Sequence, residues 1–115
     1  MKEFFLKNRK IGFNYPPLII PEIGINHGGR IDVAFKMVDS AARAGAEIVK
    51  HQTHIPEFEM SNEAKKIKPG NSNQNIYTII EKNSLTEENE FKLYKYIKKK
   101  ENDLFEFSIF QESCR

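Results

Sequence analysis

The chain has 115 residues, a net charge of +2 and 30% charged residues, a near balance that predicts no nucleic-acid partner and no anionic membrane surface. Its single cysteine, Cys114, excludes an internal disulfide bond and is consistent with a reducing cytoplasm. The apolar run Phe4–Leu6 near the N-terminus is too short for a signal-peptide core or a membrane span.

The first predicted element is an N-terminal extension or short hairpin over residues 1–15. Apolar and basic residues alternate there around Gly12, and we expect the hairpin to cap one end of the fold. Pro16 and Pro17 follow and stiffen the approach to the next element, because proline has no N–H to donate to a β-ladder.

The central stretch from Leu18 to His54 is predicted to form a strand, a helix and a second strand. Residues 18–20 are a continuous apolar run typical of a strand covered on both faces, and residues 47–50 form the second strand. Between them, apolar residues recur at helical spacing over 31–44, and Gly45 stands where a left-handed C-cap ends a helix.

The spacing of the two strands predicts that they run parallel. A connection of about 25 residues that contains a helix is a crossover, and crossovers join parallel strands in a right-handed sense. In parallel α/β folds, ligands bind beyond the carboxyl ends of the strands. Glu22 and Lys50 both fall there, so we expect a carboxylate and an ammonium group on one rim.

After His54 the periodicity is lost over residues 55–75, which indicates a long loop with one helical turn within 61–66. A short helix is predicted from Ile76 to near Asn83. A further helix begins after Thr86 as N-cap and ends at the solvated lysines of residues 98–100. Its predicted buried stripe consists of Phe91, Leu93, Tyr94 and Ile97.

Two motifs in the central stretch carry a family resemblance. The sequences P-E-I-G-I-N-H and G-A-E-I-V-K-H-Q-T-H resemble the bacterial sialic acid synthases, and the likeness continues through M-S-N-E-A-K and P-G-N to about residue 100. The K-H-Q-T-H-I variant resembles the N-acetylneuraminate-forming members more than the legionaminate or pseudaminate synthases, which stay as alternatives. The resemblance implies an α/β fold in which residues 16–101 are the first two to three βα units of a (β/α)8 TIM barrel. Such a barrel typically needs about 250 residues, so we expect a truncated one.

The resemblance also implies a reaction, in which phosphoenolpyruvate condenses with N-acetylmannosamine to give N-acetylneuraminate and phosphate. It implies Glu22 as the catalytic carboxylate near the sugar aldehyde, Lys50 as a ligand of phosphoenolpyruvate, and Gln52 and Asn71 as ligands of the amino sugar. A divalent metal, manganese or magnesium, and a homodimer belong to the intact family enzyme. Its metal ligands are histidines of later barrel strands, and no metal ligand is therefore expected in this chain.

The three histidines of the central stretch allow a second interpretation. His27, His51 and His54 are three imidazoles near one rim and would suit manganese or zinc, but packing and hydrogen bonding around the rim is the favoured interpretation.

The chain as a whole is expected to be inactive in isolation. Its alternatives are a non-enzymatic module for anionic ligands, or a subunit complemented by a second chain that supplies the rest of the barrel.

The tail, residues 102–115, departs from the family pattern, which resembles M-I-F-I-S-T-P-F-S-R at this point. When the tail is written as degenerate codons and read one base later, the permitted triplets spell M-I-Y-L-S-S-P-F-S-R. The hypothesis is a frameshift near residues 98–100, whose lysine codons can form a slippery adenine run. On this hypothesis the tail is aberrant and was not selected to fold.

Overall fold

The computed structural model describes residues 2–6 and 8–101. Its elements, in chain order, are β1 (Phe4–Leu6), β2 (Arg9–Ile11), α1 (Ile31–Arg43), α2 (Pro56–Glu59), a 3-10 helix (Ala64–Lys66), α3 (Ile76–Asn83) and α4 (Glu87–Glu101). The tail, residues 102–115, lies outside the described residues, and so does the frameshift hypothesis that concerns it. Within those residues, no helix combines the length and the apolar character needed to cross a lipid bilayer.

The N-terminal segment forms an antiparallel hairpin in which Leu6 of β1 pairs with Arg9 of β2. Gly12 lies after the hairpin, in a turn closed by the Tyr15 N–H, which donates to the Gly12 carbonyl over 3.2 Å. Arg9 ties the hairpin to the rest of the molecule. Its guanidinium contacts the Glu47 carboxylate and donates to the carbonyls of Pro16 and Pro17, at 3.0 and 3.1 Å.

The two predicted strands of the central stretch are not formed as strands, which corrects the expectation for residues 18–20 and 47–50. In the part of the chain that the structure describes, a single parallel bridge joins them, between Glu22 and Lys50. Ile19 and Ile20 are 63% and 49% exposed instead of covered on both faces. The physical reason is the lack of neighbours: among the described residues, no further strand pairs with either segment, so no ladder extends beyond the bridge.

Helix α1 confirms the predicted helix and its predicted end. The last turn closes as a Schellman motif, in which the Ala46 N–H donates to the Ala41 carbonyl and the Gly45 N–H to the Ala42 carbonyl, both over 3.0 Å. Gly45 has φ +85°, the left-handed conformation that this motif requires. Ala34, Val38 and Ala41 form the buried face of the helix.

Helix α4 begins as predicted but buries a different stripe. The Thr86 hydroxyl accepts from the Asn89 N–H over 3.3 Å, which confirms the N-cap. Leu93 and Ile97 are fully buried, whereas Phe91 and Tyr94 are 57% and 44% exposed. The expected stripe was therefore wrong for those two aromatic residues.

The contact with α1 explains which face of α4 is buried. Tyr96 stacks on Phe35 of α1 with ring centroids 4.2 Å apart, and its hydroxyl donates to the Asp39 carboxylate over 2.8 Å. This turns Leu93 and Ile97 toward the core and Phe91 away from it. The core consists of Ile23, Ala34, Val38, Ala41, Ala46, Val49, Leu85, Leu93 and Ile97.

The loop that leaves Ile23 packs closely against the end of α3. At Gly29, which has φ +74°, an added Cβ would stand 2.9 Å from the Lys82 carbonyl and 3.2 Å from the Ser84 carbonyl. Only glycine fits both the backbone conformation and the space. The end of α3 thereby holds the loop that carries Asn26 and His27.

Candidate functional site

The centre of the candidate site is the parallel bridge between Glu22 and Lys50. The Ile23 N–H donates to the Lys50 carbonyl over 2.9 Å, and the Lys50 N–H donates to the Pro21 carbonyl over 2.8 Å. The two segments run in the same direction, as the crossover connection predicted. The polar residues that follow each segment therefore lie at one end of the structure.

The side chains of Glu22 and Lys50 meet at this bridge. Lys50 Nζ lies 3.2 Å from Glu22 Oε2, and the two side chains are 36% and 45% exposed. An ion pair this open to water is screened and contributes about 0–1 kcal/mol. Both charges are therefore accessible to a ligand from solvent.

Gln52 lies near the ion pair, and so does Asn26, which is not among the site residues predicted from the sequence. Both surround the backbone of Gly24: the position of a Cβ there would lie 3.6 Å from Gln52 Oε1, 3.7 Å from Glu22 Oε1 and 3.8 Å from Asn26 Nδ2. The Asn26 amide also donates to the Ile23 carbonyl over 3.2 Å, which fixes its direction. The rim thus combines a carboxylate, an ammonium group and two amides.

Asn71 is not brought to this cluster. It is exposed in a turn in which the Ser72 N–H donates to the Pro69 carbonyl over 3.1 Å. In the part of the chain that the structure describes, no hydrogen bond joins Asn71 to Glu22 or to Lys50. Its predicted role as a ligand of the sugar stays a prediction.

A buried contact that sequence reasoning missed lies directly behind the rim. His51 Nε2 is 2.8 and 3.1 Å from the two carboxylate oxygens of Glu90, and the Thr53 hydroxyl donates to Glu90 over 3.1 Å. A carboxylate only accepts hydrogen bonds, so the Nε2–H of His51 is the donor in this contact. Glu90 lies in the acidic first turn of α4, and a contact with residues nearly 40 positions earlier leaves no local signal in the sequence.

His27 is the second buried imidazole at the rim. Its ring centroid lies 5.6 Å from that of His51, and its Nδ1 accepts from the Gly29 N–H over 3.1 Å. Burial, and in second place the neighbouring His51, lower the pKa of His27 below its ordinary value. His27 is therefore neutral at pH 7 and serves as a hydrogen-bond acceptor.

The described residues do not fit the divalent metal that the resemblance implies. Residues 2–6 and 8–101 contain no group of three His, Cys, Asp or Glu side chains placed to hold a metal ion. His51 is engaged by Glu90 and His54 by Glu59, the latter with Nδ1 2.8 Å from the carboxylate.

Helix α1 connects two parallel segments, and charged side chains lie at the same end of both. This arrangement is typical of an α/β protein with a polar rim at the ends of its parallel strands. The sequence profile of the NeuB family matches residues 37–112, which is more than half of the chain. The chain belongs to the NeuB family. The resemblance to sialic acid synthases that the motifs predicted is thereby confirmed.

Two relatives illustrate the similarity. SpsE, a spore coat polysaccharide biosynthesis protein of Bacillus subtilis (strain 168), is 48% identical over 52 residues, which are 45% of this chain and 14% of SpsE. The N-acetylneuraminate-9-phosphate synthase of Mus musculus is 43% identical over 56 residues, which are 49% of this chain and 16% of the synthase.

Solved structures cover nearly the whole chain. The N-acetylneuraminic acid synthetase of Leptospira borgpetersenii serovar Hardjo-bovis, solved in complex with citrate, matches with a TM-score of 0.63 at 32% identity, over 95% of this chain and 34% of that one. The crystal structure of SpsE matches with a TM-score of 0.61 at 28% identity, over 99% of this chain and 28% of that one. The chain thus spans about a third of the length of these relatives.

Proposed function

We propose that this chain is the N-terminal part of the (β/α)8 barrel of a sialic acid synthase, with residues 16–101 as its first two to three βα units. The observation that carries the proposal is the ion pair of Glu22 and Lys50 across a parallel bridge. Ligands of parallel α/β folds bind where the strands end, and the ion pair lies at that end. The match to solved NeuB-type synthases supports the same arrangement.

The proposed reaction joins phosphoenolpyruvate to N-acetylmannosamine. C3 of phosphoenolpyruvate forms a bond to the aldehyde carbon of the sugar, water adds at C2, and phosphate leaves with the oxygen that linked it to C2. The aldehyde oxygen gains a proton and becomes a hydroxyl. The reaction therefore needs a cation for the carboxylate and phosphate, and an acid or base at the aldehyde oxygen.

The described side chains supply these groups. Lys50 binds an anionic group of phosphoenolpyruvate through its ammonium group, and Glu22 acts as the acid or base at the aldehyde oxygen. Gln52 and Asn71 donate to or accept from the polar groups of the amino sugar. A divalent metal belongs to the intact family enzyme, with ligands from other parts of the barrel.

The exposure of the ion pair supports ligand exchange at Lys50. Without ligand, each charge is the partner of the other at 3.2 Å. An incoming anion replaces Glu22 as the partner of Lys50, at the small free-energy cost of a solvent-exposed ion pair. The carboxylate of Glu22 is then free to face the aldehyde. The Leptospira relative was solved with citrate, an anionic ligand, which supports anion binding in this family.

The test is an assay of the polypeptide of residues 1–115 alone. With manganese, phosphoenolpyruvate and N-acetylmannosamine, we expect no phosphate release above background, because the chain covers about a third of its relatives' length and supplies only part of the rim. We also expect saturable binding of phosphoenolpyruvate. Measurable turnover would overturn the proposed inactivity, and absence of binding would overturn the assigned site.

A second candidate is a subunit that a further chain completes. A groove of about 420 Å³ lies between Pro21–Ile23 and α1, lined largely by the apolar side chains of Val33, Met37 and Ala41. The exposed Ile19 and Ile20 precede it in the chain. Exposed apolar surface beside unpaired backbone favours docking of further barrel segments, and it is an aggregation hazard without them. Co-expression with the downstream reading frame tests this: restored solubility and activity support it, and unchanged inactivity rejects it.

We further propose that residues 102–115 arise from a frameshift near residues 98–100. The support is the run of permitted codons that, read one base later, spells a sequence close to the family pattern, with differences at three of ten positions. The nucleotide sequence from residue 95 onward decides the matter. A single-base change that restores an open downstream frame is the expected result, and its absence rejects the proposal.

A further inference from the structure

We propose that Glu90, in the first turn of α4, is a positioning residue for the rim: by holding His51 and Thr53, it fixes the direction in which Lys50 and Gln52 point. The inference rests on the proposed function in one respect, namely that the rim is the ligand-binding site. Its structural part concerns the direction of the rim side chains and is tested separately.

Side chains alternate in direction along the segment that begins at Lys50. Residues 51–53 follow the parallel bridge at Lys50 without helical structure, and successive side chains in an extended segment point to opposite faces. Lys50 and Gln52 share the face of Glu22 and Gly24. His51 and Thr53 share the other face, and both bind the same carboxylate, that of Glu90.

One carboxylate bound to residues two apart specifies the register of the segment. A slip by one residue would turn Lys50 and Gln52 away from Glu22 and would leave the buried His51 without its acceptor. His51 is 1% exposed, so loss of its partner has no compensation from water. The contact therefore strongly favours the arrangement in which Lys50 reaches Glu22.

The place of Glu90 in its helix suits this role. It lies in the first turn of α4, where free backbone N–H groups and the helix dipole favour a negative charge. Helix α4 is attached to α1 by separate contacts, the buried Leu93 and the hydrogen bond from Tyr96 to Asp39. Removal of the Glu90 carboxylate therefore affects the rim without undocking the helix.

The experiment compares side-chain contacts by NMR in the full 115-residue chain. The variants are Glu90→Ala and Glu90→Gln, and the matched control is Glu88→Gln, an exposed residue of the same turn that pairs with Lys92. Two nuclear Overhauser contacts are followed: that between Lys50 and Glu22, and that between Phe35 and Tyr96. The Phe35–Tyr96 contact reports only on α4 docking.

We expect Glu90→Ala to lose the Lys50–Glu22 contact and keep the Phe35–Tyr96 contact. Glu90→Gln retains one acceptor oxygen and should keep most of both, as should Glu88→Gln. Loss of both contacts in a folded Glu90→Ala chain, or of neither, would overturn the inference, because a purely structural residue does not separate them. If Glu90→Ala does not fold, Thr53→Val, which removes one of the two bonds, is read by the same pair of contacts.

Titration with phosphoenolpyruvate then tests whether the direction of the Lys50 side chain affects binding. Glu90→Ala should weaken binding by about fivefold or more, since small displacements of a binding group have large effects on a ligand that needs fixed geometry. Unchanged affinity in a variant that has lost the Lys50–Glu22 contact would overturn the functional half of the inference. If the wild-type chain does not bind phosphoenolpyruvate, the proposed function fails, and the NMR contacts still decide the role of Glu90.

Discussion

Lys50 Nζ lies 3.2 Å from Glu22 Oε2, across a bridge at which two parallel segments of the chain meet. The helix between these segments spans Ile31–Arg43, so the contact joins residues that are distant in sequence. It brings an acidic and a basic group to one rim. The proposed chemistry requires this pairing, because the cation would bind the enol phosphate while the carboxyl group would act as acid or base at the aldehyde oxygen.

The first prediction follows from the competition between Glu22 and an anionic ligand for Lys50. Glu22→Gln removes the negative charge beside the ammonium and should tighten binding of phosphoenolpyruvate by about two- to fivefold, given the weakness of exposed ion pairs. Isothermal titration measures the change at low and high salt, and the gain should shrink at high salt. Glu88→Gln makes the same charge change on exposed helix surface and should leave the affinity unchanged. Weaker binding by Glu22→Gln would contradict the exchange.

The second prediction concerns the contact between α1 and α4. Leu93 is fully buried, so Leu93→Ala should lower the free energy of unfolding by about 2–5 kcal/mol. Phe91→Ala, on the exposed side of the same helix, should change it by about 0.5 kcal/mol or less. Urea unfolding measures both. A larger effect at Phe91 than at Leu93 would show that the helix packs with the stripe expected from the sequence.

The third prediction concerns the close approach of Gly29 to the end of α3. Gly29→Ala should cost about 2–4 kcal/mol, from the left-handed backbone and the contact of the new Cβ with the Lys82 carbonyl. Gly70→Ala is the control, because its Cβ would meet nothing within 4 Å. Thermal unfolding of both variants should show a drop only for Gly29→Ala. Equal melting temperatures would contradict this packing.

The fourth prediction is a pH dependence of stability from His27. Burial first, and then the nearby His51, hold its pKa below the usual 6.5. Above that pH both the folded and the unfolded chain carry neutral His27, and below it the unfolded chain binds the proton first. The free energy of unfolding should therefore fall as the pH drops from 6.5 toward the lowered pKa.

The variant His27→Asn isolates this effect. It should flatten the pH dependence between pH 8 and 5.5, whatever its effect on stability at pH 8. His54→Asn removes an imidazole that is paired with Glu59 and should leave the His27 contribution in place. An unchanged slope in His27→Asn would show that other groups cause the pH dependence.

The features that the sequence predicted well are those with local causes. The end of α1 is encoded by Gly45, and the start of α4 by Thr86, whose hydroxyl caps the helix within three residues. The parallel direction of the Glu22 and Lys50 segments followed from the connection between them. Each of these inferences needed only neighbouring residues or the length of the connection between two segments.

The features that failed depend on distant contacts. The apolar run at residues 18–20 has a strand composition, but strands need partners, and Ile19 and Ile20 stay exposed. The buried face of α4 is decided by Tyr96 against Phe35, which a helical repeat alone does not specify. The contacts of Glu90 with His51 and Thr53 could not be predicted, because nothing near Glu90 in the sequence indicates them.

The most direct test of the central claim is phosphoenolpyruvate titration of the wild-type 115-residue chain and of Lys50→Gln. Lys99→Gln, with the same loss of charge on the exposed surface of α4, is the control. We expect saturable binding by the wild type and by Lys99→Gln, and a loss of affinity of about tenfold or more for Lys50→Gln, because a charge-assisted contact to an anion is removed. Equal affinity of Lys50→Gln and the wild type would contradict the assignment of the rim as the phosphoenolpyruvate site.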